Sequence, residues 1–300
     1  MENSRNVLLE GSFVALVTPF TSDGSIDYDR IAELVEFHIS SGTDGIVPCG
    51  CTGEAATLNH DEQKSIMSFV VEKAAGRVLV VPGTGSNSTR EAISLTAHAK
   101  SAGADAVLLI SPYYNKPTQA GLVAHYKAIA AAVDIPLMLY NVPSRTGGPG
   151  IMPETVAELA QVPNVVAIKE AGGSVDRVSA IRSLCDITVL SGDDSLTIPM
   201  MAVGARGVVS VAANVVPAQL AQMVRAHLDG DVALAEQRHY ELLDMFKALF
   251  VETNPIPAKY ALSIMGKIDN VLRLPLLPLS ENCCDTVRTA LEGCGVELSS

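Results

Sequence analysis

The chain has 300 residues, 48% of them hydrophobic and 18% charged, enough to bury the core of one large domain carrying an extension. Its 33 acidic residues outweigh 21 basic ones for a formal net charge of −12, and no basic run occurs, which argues against nucleic acid or an anionic membrane as a partner. An anionic substrate must therefore be held by a few cations placed inside a pocket, against the overall field. Residues 1–6 carry no leader pattern, and no apolar run approaches the roughly 18 residues of a membrane span, so a cytoplasmic protein is expected.

In chain order, residues 13–17 read as a strand ending at Thr18-Pro19-Phe20. Asp27 then caps a helix whose apolar residues Ile31, Leu34, Val35 and Ile39 recur at helical spacing up to Gly42. The same strand-then-helix unit repeats. Residues 46–48 lead through the 50–54 turn to a helix after Asn59, and 78–81 lead through Gly83-Thr84-Gly85 to a helix capped near Ser88. Residues 106–110 lead through Pro112-Tyr113-Tyr114 to a helix from Thr118, and 136–140 through Asn141-Val142-Pro143 to one from Pro153. The run 165–170, which ends in Lys169-Glu170, precedes a helix from Ser174, and strands at 187–190 and 208–211 follow. From Pro217 the pattern is wholly helical, over 217–229, 231–250, 255–265 and 283–292. Eight such units predict an α/β fold, a (β/α)8 TIM barrel with a C-terminal helical layer: a barrel over 1–230 and a helical extension over 231–300. A doubly wound sheet is the competing architecture, but the Gly-x-Gly-x-x-Gly turn that favours it is absent after the first strand.

In a barrel of parallel strands the C-terminal strand tips build the site. Those tips bring together Thr18, the 50–54 turn, Tyr113, Tyr114, Tyr140, Lys169, Gly192 and Ser210. Strand period two points Lys169 and Glu170 to opposite faces. A partly buried Lys169 amine then keeps its ammonium form disfavoured, as attack on a carbonyl requires; the other reading is a surface lysine leaving an edge strand. Tyr140 ends the neighbouring strand, about 4.8 Å away, as a proton shuttle or as a ring packed at the barrel mouth. Gly50-Cys51-Thr52-Gly53 suits a nest of backbone N–H groups around a carboxylate, and equally a plain tight turn. Arg145, in a loop on the same face, suits a bidentate grip on a second carboxylate or ordinary solvation. The six cysteines (49, 51, 185, 283, 284, 294) form no disulfide framework, and Cys49-x-Cys51 lacks the second ligand pair that zinc needs. None of the six histidines ends a strand, and neither a metal nor a cofactor is expected.

Six stretches together are more specific: Gly50-x-Thr52-Gly53-Glu54, Pro112-Tyr113-Tyr114-Asn115-Lys116-Pro117, Tyr140-Asn141-Val142-Pro143-Ser144-Arg145-Thr146-Gly147, Ile168-Lys169-Glu170-Ala171, Ser191-Gly192-Asp193-Asp194 and Asn254-Pro255-Ile256-Pro257. Over about residues 11 to 296 the chain resembles the dihydrodipicolinate synthase family, of the class I pyruvate aldolases that include N-acetylneuraminate lyase. The resemblance implies a lyase of lysine (diaminopimelate) biosynthesis, in which Lys169 forms a Schiff base with pyruvate and the enamine adds to aspartate semialdehyde. It implies Tyr140 as general acid/base, Thr52 on the pyruvate carboxylate, Arg145 on the semialdehyde, and Gly192 and the Val209 backbone lining the site. Tyr114 matches a tyrosine that family members insert from a neighbouring subunit, which implies a homodimer at least and a homotetramer as the usual assembly. Cys51 stands where the family carries a threonine hydroxyl that links the two tyrosines, and a thiol is the weaker hydrogen-bonding group.

The family's lysine feedback site is matched in part, at Ala56, His60, Gly85, Asn87, Glu91 and Tyr113, while Ala55 and Gln63 depart from it. Weakened or absent inhibition is the expectation. Two other readings stay open: a pyruvate aldolase acting on another aldehyde or sugar acid, and a catalytically impaired homologue marked by Cys51.

Overall fold

A strand covered on both faces needs apolar residues at successive positions, and the eight strands are built that way. The computed structural model describes residues 7–299; residues 1–6, read above as lacking a leader pattern, lie outside them. The strands are β1 (Gly11–Ala15), β2 (Gly45–Val47), β3 (Leu79–Val80), β4 (Val107–Ile110), β5 (Leu137–Asn141), β6 (Val165–Glu170), β7 (Thr188–Ser191) and β8 (Gly207–Ser210). They run parallel in the order β3-β2-β1-β8-β7-β6-β5-β4. The two ends of that order meet, because Gly83 bridges Leu108 and their neighbours exchange Thr84 N to Leu108 O (2.9 Å) and Leu108 N to Pro82 O (2.8 Å). The sheet thus closes as the expected barrel.

The helices are α1 (Tyr28–Ser40), α2 (His60–Ala74), α3 (Thr89–Ala102), α4 (Gln119–Ala132), α5 (Pro143–Thr146), α6 (Pro153–Leu159), α7 (Val175–Leu184), α8 (Thr197–Ala202), α9 (Pro217–Leu228), α10 (Val232–Ala248), α11 (Ile256–Ile264) and α12 (Glu281–Gly293). Several start where a side chain satisfies an orphan N–H: Asp27 accepts from Arg30 N, Asn59 and Glu62 form a reciprocal capping box, and Thr118 accepts from Gly121 N. The short helix α5 is additional to the eight expected units, and α8 is the helix of the seventh, whose bounds the sequence left open. Arg145 accordingly sits on a helical turn rather than in a loop, since Pro143 with its preset φ starts a helix directly after β5. Among the described residues no helix is long and apolar enough to cross a membrane.

Alternation sorts the strand residues into two layers. Val14, Ile46, Val80, Leu109, Leu139, Ile168 and Val189 pack outward under the helices, while Phe13, Val47, Met138, Tyr140, Ala167, Leu190 and Val209 fill the barrel. The β5–β6 register shifts once: Leu137 pairs with Val165, but Met138 pairs with Ala167, leaving Val166 unmatched as a bulge. Beyond it Tyr140 pairs with Lys169 and Asn141 with Glu170.

At the bottom of the barrel Gly207 (φ +149°) pairs with Gly11, and a Cβ there would lie 2.0 Å from the Gly11 carbonyl oxygen. Gly207→Ala is expected to cost roughly 2–4 kcal/mol, because backbone must move in a closed sheet. Urea unfolding measures it, and an unchanged midpoint would contradict the tight β1–β8 contact.

Candidate active site

Because Lys169 follows Ala167 in the inward set, its side chain rises through the barrel mouth and is only 5% exposed. Its Nζ lies 4.4 Å from the centroid of the Tyr140 ring. Burial pushes the amine below its ordinary pKa, opposed by the Cys51 thiol and the carboxylates of Asp194 and Asp193, with Arg145 acting in the same direction as burial. Glu170 points the other way and never meets the amine. Asn141 Nδ2 donates to both its oxygens (2.8 and 3.0 Å), Gly172 N donates at 2.7 Å, and Arg177 Nε lies 3.3 Å away.

The passage for the lysine stem exists because residue 192 is glycine. A Cβ there would stand 2.5 Å from Ala171 Cβ and 2.9 Å from Lys169 Cε. Next to it, Asp194 is fully buried, and its Oδ2 accepts from Val211 N (3.2 Å) and Ala212 N (2.9 Å). Burial raises the pKa of both Asp193 and Asp194. The Tyr140 phenol is raised well above its ordinary value, first by burial and then by the adjoining Cys51 thiol, with Arg145 pulling it back.

The 50–54 turn leaves β2 between two non-glycine residues in left-handed conformation, Cys49 (φ +57°) and Glu54 (φ +53°). Cys49 packs into the outer core while Cys51 faces the barrel interior, so the two thiols belong to different layers. Outside contacts hold this turn. Thr18 Oγ1 donates to Gly53 O (2.7 Å), and Asn254 Nδ2 donates to Thr52 Oγ1 (2.9 Å). Glu54 Oε1 receives Lys259 Nζ at 2.6 Å, with the two side chains 1% and 0% exposed. Burial pulls the Lys259 ammonium down, and the Glu54 carboxylate holds against it.

Two cavities adjoin at this mouth. The first, of about 550 Å3, is lined by Cys51, Thr52, Tyr140, Arg145, Lys169 and Gly192, together with Asp193, Val211 and residues 250–254. Val209 is buried in the layer beneath, and Val211 forms the wall there. Arg145 Nη2 donates to the Asn254 carbonyl (3.1 Å), so one residue of the C-terminal layer ties Arg145 to Thr52. The second, of about 460 Å3, shares Cys51, Tyr140, Arg145 and Asn254 with the first and takes in Ala56, His60, Gly85, Glu91 and Tyr113. Asn87 does not line it; its carbonyl accepts from Asn115 Nδ2 (2.9 Å). Tyr114 lines neither cavity. It is 90% exposed in a left-handed conformation (φ +70°), presented outward.

Sequence reasoning gave no role of their own to Asp194, Asn254, Glu54 or Lys259. The first three stand in stretches already quoted, but the fourth lies two residues beyond the Asn254-Pro255-Ile256-Pro257 stretch. The packing of α11 over the mouth has no local signal.

A sequence profile of the Dihydrodipicolinate synthetase family matches residues 8–293. The 4-hydroxy-tetrahydrodipicolinate synthase of Geobacter sulfurreducens is 55% identical over 91% of this chain and 94% of its own. That of Nitratidesulfovibrio vulgaris is 51% identical over 96% of this chain and 99% of its own. The crystal structure of dihydrodipicolinate synthase from Aquifex aeolicus superposes with a TM-score of 0.95 at 48% identity, covering 97% of this chain and 100% of that one.

A lowered lysine pKa means more free amine at any pH below it. The rate of borohydride-trapped keto-acid labelling at Lys169 should therefore rise with pH and level off before the ordinary value of 10.5. Intact-mass kinetics across about pH 6 to 11.5 measure this, and a rise that continues past the ordinary lysine range would contradict the desolvated amine.

Proposed function

This chain belongs to the dihydrodipicolinate synthetase family, and on that premise we propose that it condenses pyruvate with L-aspartate 4-semialdehyde to 4-hydroxy-tetrahydrodipicolinate in lysine biosynthesis. The observation that carries the reading is the pairing of a buried Lys169, whose pKa burial lowers, with Tyr140 on the adjacent strand tip.

Lys169 attacks the C2 carbonyl of pyruvate, water leaves, and an iminium forms. Loss of a C3 proton gives the enamine, whose C3 adds to the aldehyde carbon while the new alkoxide takes a proton. The amine of the adduct then attacks C2 and displaces Lys169, closing the ring. Tyr140 moves the protons at each stage, and its raised pKa keeps it a donor at neutral pH. Thr52 and the backbone N–H groups of its turn hold the pyruvate carboxylate, and Arg145 holds the carboxylate of the semialdehyde through a planar fork. Gly192 leaves room for the imine. Tyr114 completes the relay from a partner subunit in a cytoplasmic homotetramer, which its outward presentation supports. Cys51 replaces the hydroxyl between the two tyrosines with a poorer hydrogen-bonding group, so the relay is slower but intact. Lysine feedback at the second cavity is weak or absent: Gln63 Nε2 is already committed to the carbonyls of Ala55 (3.1 Å) and Leu58 (3.2 Å).

Initial rates with pyruvate and aspartate semialdehyde test this. Lys169→Ala should be silent and should no longer trap pyruvate with borohydride. Cys51→Thr should raise kcat by about 10- to 100-fold, less than the roughly 10²–10⁴-fold of a whole general acid–base group because the thiol already carries part of the relay. A slower Cys51→Thr enzyme would sink the relay reading, and a parent that traps pyruvate yet ignores the semialdehyde would sink the acceptor. In the same assay millimolar lysine should leave the rate nearly unchanged; strong inhibition would refute the feedback reading.

A further inference from the structure

Lys259 lies on α11, outside the barrel in sequence, and lines neither cavity. Its ammonium nevertheless makes two contacts at the base of the mouth. It donates to Glu54 Oε1 at 2.6 Å and to the Thr18 carbonyl at 2.9 Å, over the face of the Phe20 ring at 4.2 Å. Both partners bear on the 50–54 turn, which faces the first cavity: Glu54 ends it in left-handed conformation, and Thr18, from outside it, holds Gly53 O through Oγ1. The other Glu54 oxygen accepts from the backbone N of Arg273 at 3.2 Å. The side chain of Arg273 is itself locked on Glu62 and the Gly24 carbonyl.

A left-handed non-glycine residue persists only where its surroundings over-determine it. Here the surroundings of Glu54 are a buried charge from the C-terminal layer, on one oxygen, and the Arg273 backbone N–H, on the other. We infer that Lys259 is a positioning residue for the keto-acid carboxylate cradle, acting through Glu54 and the Thr18 carbonyl to hold the 50–54 turn in the shape that presents Thr52 and its backbone N–H groups to the cavity. This rests on the proposed reading of that cavity as the pyruvate site. The consequence is a split between the two substrates. Loss of the Lys259 charge loosens the pyruvate carboxylate contacts, while Arg145, anchored on the Asn254 carbonyl, keeps its grip on the second substrate.

The test compares Lys259→Met, which keeps the stem over Phe20, with Lys259→Arg, Glu54→Gln and the double variant Glu54→Gln, Lys259→Met, which leaves no unpaired buried charge. Borohydride trapping on Lys169, read by intact mass, gives the half-saturating pyruvate concentration without any acceptor aldehyde, and steady-state assays give KM for each substrate. Lys259→Met, Glu54→Gln and the double variant should raise the pyruvate values roughly ten-fold or more, with the semialdehyde KM changed less than about two-fold, and Lys259→Arg should recover part of the loss. Whichever of the charge-removing variants fold carry the measurement. Parent-like pyruvate values in a folded variant, even with a lowered Tm, would make the pair merely structural and overturn the inference. A parent that fails to trap pyruvate at all would instead overturn the reading of the cavity, and this inference with it.

Discussion

Everything at the mouth of this barrel depends on which way a strand residue points. A closed parallel sheet has one face toward its own axis and one toward the helices, so each side chain is committed to one or the other. Lys169 falls on the axis side and Glu170 on the helix side, where Asn141, Gly172 and Arg177 absorb its charge. Had the two shared a face, a salt bridge would have held the lysine protonated. The bulge at Val166 matters for the same reason: without it Tyr140 would stand opposite Ile168.

The second constraint is charge. A chain of net charge −12 that is to receive carboxylate-bearing molecules has to shelter its own carboxylates from them. Asp194 spends one oxygen on the N–H groups of Val211 and Ala212, and Glu54 spends both on Lys259 and the Arg273 backbone. Lys169 and Arg145 are the cations that line the first cavity. Desolvation weakens the proton affinity of the lysine but leaves the guanidinium charged, so two basic residues in one cavity are suited to different tasks, one as nucleophile and one as fixed charge.

The C-terminal layer is part of the site rather than an addition to it. Asn254 touches Thr52 with its side chain and Arg145 with its carbonyl, and Lys259 reaches under the turn between them. The barrel places Lys169 and Tyr140 on rigid strand tips, and α10 and α11 with their connection set how Thr52 and Arg145 lie relative to those tips. Catalytic geometry is sensitive to shifts of this kind, because a misplacement of about 1 Å costs as much as losing a contact.

How much of this was legible without coordinates follows from the range of the forces. Strands, helices and caps are local, set by apolar periodicity and by residues such as Asp27, Asn59 and Thr118 within three positions of the N–H groups they satisfy. The opposite facing of Lys169 and Glu170 is equally local, and so are the motifs that mark the family. The short helix carrying Arg145 was within reach, since Pro143 announces it. The sequence by itself therefore determined the barrel, the strand-tip lysine that faces its axis, and Cys51, Thr52, Tyr140, Arg145 and Gly192 at its mouth. Only the tertiary structure decided the β5–β6 register, the burial that lowers the Lys169 pKa, the separation of Cys49 from Cys51 into two layers, and the clamp from α11. Each of these depends on desolvation or on contacts between residues distant in the chain, in the clamp more than two hundred positions apart, and a linear sequence carries no distance between them.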